Sequence, residues 1–240
     1  MDDQLEKSLL EVITKIAKHF GPMAVLKGGM SLRLQGIDRS TIDADFSFQP
    51  SQSKKDFSDS LIDLMNEICD APVRHSMDSK KLKIDAIYNQ SNIIIEANPY
   101  EAFEPIAIST AKLAKKHELQ PCIISVVPHP MAFANKLGAW LDRRLARDLY
   151  DIYIYNEVFR TKPDPDILEK RISKPSYTRQ VKTKPKLNTI ADFTTFLKTQ
   201  CDQLSAEEIE LELQAIIAPQ ELQGLGDEIQ RSIRKLRSLE

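Results

Sequence analysis

Apolar positions in the first half of the chain follow two different periods, which predicts alternating helices and strands. A 3.6-residue period over residues 4–20 indicates an amphipathic helix that ends at Gly21-Pro22. A two-residue period over Ile42–Phe48 and Leu82–Tyr88 indicates strands with one buried face. Shorter apolar runs predict the remaining elements, which are strands at 23–27, 93–95 and 122–127 and helices at 30–34 and 53–70.

The second half of the chain has a helical pattern. Residues 131–159 are predicted to be mostly helical with a break near Leu141–Leu145, and clearer helices follow at 188–203 and 206–217. Pro128-His129-Pro130 lies between the two patterns. We therefore predict an α/β (α+β) domain over residues 1–128 and a helical domain over residues 129–240.

Composition places the chain among ordered globular proteins. It has 240 residues, 42% hydrophobic and 28% charged, with a net charge of −2, which excludes a disordered chain. No apolar run approaches the ~18 residues of a membrane span, and the acidic start lacks a signal-peptide core. Three widely spaced cysteines argue against a disulfide framework or a zinc site, so we expect a cytoplasmic protein.

Charge is unevenly distributed along the chain. Residues 160–186 contain nine Lys and Arg residues against three acidic residues, a local charge of +6, together with four prolines. This composition predicts an extended basic connector with a short helix inside it. Two interpretations remain open, a solvated linker or a surface that contacts nucleic-acid phosphates.

Candidate chemistry lies in the first half. Gly28-Gly29 directly follows a predicted strand, where outward-facing N–H groups can bind phosphate. Asp43 and Asp45 are two residues apart on a strand and therefore share one face, and Asp85 alternates with buried residues on another strand. Three such carboxylates can hold two Mg²⁺ ions for phosphoryl displacement. The alternative for the pair is a solvent-facing sheet edge.

Two segments of the chain carry recognisable motifs. The first segment is Lys-Gly-Gly-Met-Ser at 27–31 with Arg39 and Asp-Ala-Asp-Phe at 43–46. The second is Asn-Lys-Leu-Gly-Ala-Trp at 135–140 with Arg-Asp-Leu-Tyr-Asp at 147–151. Together they resemble the polymerase-β-like nucleotidyltransferases, and most closely their AbiEii/AbiGii toxin branch, over roughly residues 23–156. The chain departs from the branch at Met30, where Thr is common, and at Ala44, where Ile or Leu is usual.

The resemblance implies a nucleotidyltransferase-type mixed sheet flanked by helices and followed by a helical domain, which is expected to complete the active-site cleft. It implies metal binding by Asp43 and Asp45, and an essential acid at Asp148 or Asp151. Asp85, from its position on the other strand, is the predicted ligand of a second metal ion. The implied nucleotide-binding residues are Lys27, Gly28, Gly29, Ser31, Arg39, Lys136 and Arg147. The second segment, which is predicted to be helical and is called the helical motif below, also fits ordinary i, i+4 ion pairs. These would be Arg144–Asp148 and Arg147–Asp151.

The function implied is that of a toxin with a cognate antitoxin. Its expected reaction is transfer of NMP from NTP to RNA, specifically a tRNA 3′ end, with Mg²⁺ (Mn²⁺ being the alternative ion) and release of pyrophosphate. Two other functions remain open on the same residues. These are nucleotidyl transfer to a protein hydroxyl and a non-catalytic nucleotide-binding module.

Overall fold

The computed structural model describes residues 2–49, 54–78, 81–99, 103–179, 181 and 184–236. The chain forms two compact units, Met1–Pro128 (unit 1) and His129–Glu240 (unit 2). Within the described part of the chain, no helix is both long enough and apolar enough to cross a membrane.

Unit 1 is a seven-stranded mixed sheet with helices. Its helices are α1 (Asp3–Phe20), α2 (Gly28–Leu34), α3 (Lys54–Ile68) and α4 (Ala111–Lys116). Its strands are β1 (Ala24–Lys27), β2 (Asp43–Phe48), β3 (Arg74–Met77), β4 (Leu82–Tyr88), β5 (Ser91–Pro99), β6 (Ile106–Ser109) and β7 (Ile123–Val126). The strand order is β3-β4-β5-β2-β1-β7-β6. The predicted α/β class is confirmed.

Strand β2 lies in the interior of this sheet. It pairs antiparallel with β1 and parallel with β5. The sheet-edge alternative for Asp43 and Asp45 is therefore wrong. Ile42, which the two-residue period assigned to the buried face, precedes the strand and is 60% exposed.

The helix α1 supplies much of the core of unit 1. Its side chains at Leu9, Val12, Ile13 and Ile16 are all 0% exposed, as the 3.6-residue period predicts. The Asp2 side chain caps the helix by accepting a hydrogen bond from the Gln4 N–H. Because these residues cover one face of the sheet, the other face is available to polar side chains.

Three short elements of unit 1 were not predicted, namely β3, β6 and α4. All four residues of β3 are exposed, and three of the four in β6 are. Edge strands of this kind have no buried face, so they leave no two-residue period in the sequence.

Unit 2 is helical, as predicted. Its helices are α5 (His129–Arg143), α6 (Ala146–Tyr153), α7 (Pro165–Ser173), α8 (Ile190–Asp202), α9 (Ala206–Leu213), α10 (Pro219–Leu222) and α11 (Leu225–Lys235), with a π-helical turn at Ile154–Val158 after α6. Trp140, Leu149, Phe193 and Ile229 are among its fully buried apolar side chains.

The predicted break near Leu141–Leu145 is confirmed at Arg144. This residue has a left-handed φ of +56°, and its Nη1 donates to the carbonyl of Trp140 (3.0 Å) and to that of Leu141 (2.5 Å). Its guanidinium also lies 4.5 Å from the Trp140 ring and 4.7 Å from the Phe196 ring. Arg144 therefore caps α5 and turns the chain into α6.

The basic stretch at 160–186 is more structured than a linker. The short helix expected inside it is α7, whose Leu168 and Ile172 are buried, and α7 packs on α5. The residues after α7 are hydrogen-bonded to Asp142 at the end of α5. Lys182, which belongs to this stretch, lies outside the described residues.

A buried carboxylate joins α1 to two other helices of unit 1. Glu6 is 0% exposed, and its Oε1 accepts a hydrogen bond from Arg33 Nε (2.5 Å). Its Oε2 accepts one from Lys116 Nζ (2.6 Å) and lies 2.7 Å from His117 Nε2. Burial by itself raises the pKa of Glu6, but the hydrogen bonds from Lys116, Arg33 and His117 outweigh it and lower the pKa to about 2.

We expect unit 1 to lose stability in acid through Glu6. Because its pKa falls from 4.5 to about 2 on folding, the ionised carboxylate stabilises the fold above pH 4.5. That contribution disappears as the pH falls toward 2 and amounts to roughly 3 kcal/mol. In urea unfolding, Glu6→Gln should be less stable than wild type by about this amount at pH 7, and the difference between the two proteins should shrink at pH 3. Glu67→Gln, at an exposed position of α3, should keep the wild-type pH profile; equal profiles for the two variants would contradict the assignment.

Candidate functional site

Asp43 and Asp45 lie on one face of β2. Both are half-buried, whereas Ala44 and Phe46 between and after them are fully buried on the other face. The strand therefore presents two carboxylates on the side of the sheet that its core residues do not use.

The Gly-Gly turn lies directly beside this pair. Lys27 is the register partner of Asp45, so the antiparallel pairing of β1 and β2 brings the start of α2 next to the second carboxylate. Gly28 has a left-handed φ of +70°, and a Cβ on it would overlap the Asp45 carboxylate. Only glycine allows this backbone to approach the carboxylate so closely.

The next glycine accommodates Arg39. A Cβ on Gly29 would overlap Arg39 Nη1 and would come within 2.9 Å of Thr41. Arg39 is 6% exposed, and its Nη1 donates to the Ser40 carbonyl (3.4 Å). Thr41 Oγ1 in turn donates to Asp43 Oδ1. Arg39 thus braces the loop that leads into β2.

Two other predicted phosphate contacts have partners within unit 1. Lys27 Nζ donates to Asn98 Oδ1 on β5. Ser31 is 4% exposed inside α2, and its Oγ accepts a hydrogen bond from Gln35 Nε2 (3.4 Å). Both residues remain predictions as nucleotide-binding groups.

The structure places Asp85 one strand further away than the acidic pair. Ile94 of β5 is the register partner of both Asp43 and Asp85, so β5 separates the two carboxylates. Adjacent strands are about 4.8 Å apart, which puts Asp85 roughly 10 Å from Asp43 along the sheet. The Asp85 carboxylate pairs with Lys83 Nζ at 3.0 Å.

A nearer acid, Glu96, was missed by the sequence analysis. It is the register partner of Asp45 on β5, and its side chain is 27% exposed on the same face. Its Oε1 accepts a hydrogen bond from Lys81 Nζ (2.7 Å). The alternation of buried Ile93, Ile95 and Ala97 assigns Glu96 to the opposite face, but the sequence could not show that β5 pairs with β2.

The acidic pair has the donor chemistry of a Mg²⁺ site. Carboxylate oxygens are the ligands that Mg²⁺ prefers, and Asp43, Asp45 and Glu96 offer them on one polar face. Among the described residues, no third acidic group is gathered with Asp43 and Asp45 to within 4.8 Å, so a third ligand would need a side-chain rotation.

A second group with potential ligand atoms occurs at Asp3, Glu6 and His117, within 4.8 Å of one another. Lys116 Nζ donates to both Asp3 (2.7 Å) and Glu6, and Arg33 donates to Glu6 as well. Protein cations therefore already neutralise this group, and we assign it to stability.

In unit 2, the helical motif forms a buried ion-pair cluster. Asp148 and Asp151 on α6 are both 0% exposed. Lys136 Nζ lies 2.6 Å from Asp151 Oδ2 and 3.7 Å from Asp148 Oδ1. Arg143 makes a bidentate contact with Asp148, with both N–O distances 2.6 Å. Burial by itself raises the pKa of Asp148, but Arg143 and Lys136 outweigh it and hold this pKa below its ordinary value.

The i, i+4 ion pairs that were the alternative interpretation of this motif do not form among the described residues. Asp148 pairs with Arg143 instead of Arg144, because the chain leaves the helix at Arg144 and helical spacing does not apply across the break. Asp151 pairs with Lys136 of α5, and Arg147 is exposed. The cluster therefore ties α5 to α6.

We expect Gly28→Ala to lower activity by displacing Asp45, in addition to the loss of stability that backbone strain causes. Ala at this left-handed φ costs about 1–2 kcal/mol of folding free energy, and its Cβ would also displace the Asp45 carboxylate. Transfer activity should fall by more than about tenfold. Gly224→Ala is the control, because Gly224 has φ +81° with nothing within 4 Å of a Cβ, and it should lose stability alone. Each variant is assayed under conditions where urea unfolding shows that it is folded. Equal activity losses in the two variants would contradict the assignment.

Comparisons with known proteins support the fold. Two solved structures resemble the chain over nearly its whole length. The MenT4 nucleotidyltransferase toxin from Mycobacterium tuberculosis has 15% identity and a TM-score of 0.57, with 99% of this chain and 85% of that chain covered. JHP933 from Helicobacter pylori has 15% identity and a TM-score of 0.60, with 98% and 91% covered. At these identities the likeness shows the fold.

A family model identifies the chain. No curated protein sequence matches it significantly. The model described as the nucleotidyl transferase AbiEii toxin of type IV toxin–antitoxin systems matches residues 14–234, which include the acidic pair, the Gly-Gly turn and the buried cluster. The resemblance inferred from the motifs is confirmed. The chain belongs to the AbiEii family of nucleotidyltransferase toxins.

Proposed function

We propose that this toxin transfers NMP from an NTP to the 3′ hydroxyl of an RNA, with tRNA as the acceptor and Mg²⁺ as the metal. The observation that carries the proposal is the contact of the Gly28 backbone with the Asp45 carboxylate, beside Asp43 on the same strand. A phosphate-binding turn next to paired carboxylates suits a metal-bound triphosphate. RNA and NTP are both available in the cytoplasm, where we propose that the toxin acts.

In the proposed reaction, the acceptor oxygen forms a bond with the α-phosphorus of the NTP. The bond between the α-phosphorus and the α–β bridging oxygen breaks, and pyrophosphate leaves with its electron pair. The hydroxyl proton passes to a carboxylate of the site or to water. The protein contributes mainly by positioning the two reactants and by stabilising charge.

Each residue near the turn has a proposed part. Asp43 and Asp45 would hold Mg²⁺ or Mn²⁺, which when bound supplies positive charge to the phosphoryl oxygens and lowers the pKa of an attacking hydroxyl. The N–H groups at Gly28 and Gly29 would face the phosphates, while Arg39 keeps the loop in place. Outside unit 1, Lys136 and Arg147 remain predictions as phosphate contacts.

For the third carboxylate, the register favours Glu96 over the predicted Asp85. Glu96 is directly across from Asp45, whereas Asp85 is separated from Asp43 by a whole strand and is paired with Lys83. The two assignments can be distinguished because both acids can be neutralised without changing side-chain size.

We expect Asp43→Asn, Asp45→Asn and Glu96→Gln to abolish or strongly reduce transfer, with losses of at least about a hundredfold. Asp85→Asn should lose less than about tenfold, since it lies outside the group. The measurement is incubation of each protein with Mg²⁺, total tRNA and each of the four α-labelled NTPs in turn, followed by gel separation of RNA and protein.

The same gel tests the proposed acceptor. Label on RNA that is absent with Asp43→Asn supports the proposal and identifies the nucleotide. Label on a protein band alone would contradict the RNA acceptor. A larger loss of transfer activity with Asp85→Asn than with Glu96→Gln would identify Asp85, and not Glu96, as the third metal ligand.

The buried cluster of unit 2 gives a separate prediction. Lys136→Met leaves the buried Asp151 carboxylate without its 2.6 Å cation, which should cost about 3–5 kcal/mol of folding free energy. The double variant Lys136→Met/Asp151→Asn should recover most of this loss in urea unfolding. Arg231→Met, at an exposed position, is the control and should unfold like wild type.

Activity of the double variant then separates two roles of Lys136. If the ammonium also contacts the triphosphate, the folded double variant should bind NTP more weakly than wild type. Inactivity with unchanged NTP affinity would instead identify Asp151 as the essential acid. Recovery of activity together with stability would contradict that role and leave the pair purely structural.

A further inference from the structure

A basic segment of unit 2 lies outside the residues assigned to nucleotidyl transfer. Residues 174–186, here called the basic strap, contain five Lys and Arg residues. No Asp or Glu occurs between Glu169 and Asp192. The described cations of the strap are all exposed, and they are Lys174, Arg179, Lys184 and Lys186.

These cations have not been neutralised by the fold. Within the part of the chain that the structure describes, no salt bridge joins any of the four to an acid. The Lys184 ammonium lies 5.8 Å from the Tyr177 ring, which leaves its charge intact. The strap therefore presents uncompensated positive charge to solvent.

The strap is held to the body of unit 2 and is not a free tether. Asp142, 8% exposed near the end of α5, accepts a hydrogen bond from the Ser176 N–H at its Oδ1 (2.5 Å) and one from the Thr178 N–H at its carbonyl (2.8 Å). Its Oδ2 accepts a hydrogen bond from Arg171 Nη2 (2.7 Å).

Two further contacts fix the far side of the strap. Val181 is buried at 8% exposure, and Tyr177 Oη donates to the Pro185 carbonyl (3.2 Å). This hydrogen bond joins the first part of the strap to its last residues. Because described residues of the strap make these contacts, its cations lose less conformational entropy on binding an extended polyanion than those of a free tether would.

We propose that the basic strap binds the phosphate backbone of the acceptor RNA, an inference that rests on the RNA acceptor of the proposed function. Its composition favours a nucleic acid over an anionic membrane. Binding at a membrane surface uses exposed apolar side chains beside the cations, and the described residues of the strap include no exposed large apolar side chain. Phosphate contacts of this kind are insensitive to base sequence.

The test is a triple charge-neutral variant, Arg179→Gln/Lys184→Gln/Lys186→Gln. Affinity for fluorescently labelled tRNA is measured by anisotropy between 50 and 300 mM salt. We expect roughly 10- to 100-fold weaker binding at low salt and a salt slope that is smaller by about 2–3, one unit per lost phosphate contact. In transfer assays, KM for tRNA should rise while kcat and NTP affinity stay near wild type.

The matched control removes the same charge from unit 1. Lys18, Lys55 and Lys115 are exposed on α1, α3 and α4, and the variant Lys18→Gln/Lys55→Gln/Lys115→Gln should bind tRNA like wild type. An equal loss in both triple variants would reduce the effect to net charge and overturn the assignment to the strap.

Two further outcomes would also overturn the strap proposal. One is unchanged tRNA affinity in the strap variant. The other is a loss of binding to phosphatidylserine vesicles with tRNA binding intact. Because the assay reads binding, it judges the strap even if wild-type protein transfers no nucleotide to RNA. An absence of nucleotide transfer to RNA would count against the proposed function and not against RNA binding by the strap.

Discussion

The antiparallel pairing of β1 with β2 is the constraint on which the candidate site depends. Four register pairs align the strands, and the last joins Lys27 to Asp45. This alignment brings the turn that begins α2 against the second carboxylate, where only glycine fits. A shift of one residue would turn Asp45 to the buried face and move Ala44 beside the turn. The same register therefore determines both the core of unit 1 and the position of its chemistry.

Buried charge contributes to both units in a similar way. In unit 1, Glu6 accepts hydrogen bonds from residues of two other helices, and in unit 2, Asp148 and Asp151 hold Arg143 and Lys136. A fully buried carboxylate is costly unless a cation compensates it, so each of these acids selects one arrangement of helices. In unit 2 this gives the Arg-Asp-Leu-Tyr-Asp motif an evident structural role, independent of its proposed role with NTP.

Several predictions from the sequence were accurate because they relied on local periodicity or spacing. The helix over residues 4–20, the strand that carries Asp43 and Asp45, and the helix break before Leu145 all appear in the structure. The i, i+4 ion pairs that were the alternative interpretation for unit 2 do not form. Arg144 interrupts the helix before Asp148, and Asp151 pairs with Lys136 of α5. Glu96 was missed because its neighbour in space, Asp45, is 51 positions away along the chain.

By itself, the sequence determined the α/β class, the acidic face of β2, the glycine turn and the family, since each of these is encoded in residues close together in the chain. Tertiary structure alone decided which strand lies beside β2 and therefore which acid accompanies the pair. It also decided that the basic strap is fastened to α5 by Asp142. The physical reason is the same in both cases. Strand pairing and buried polar contacts join residues far apart in sequence, and no periodicity in the chain records which partners will meet.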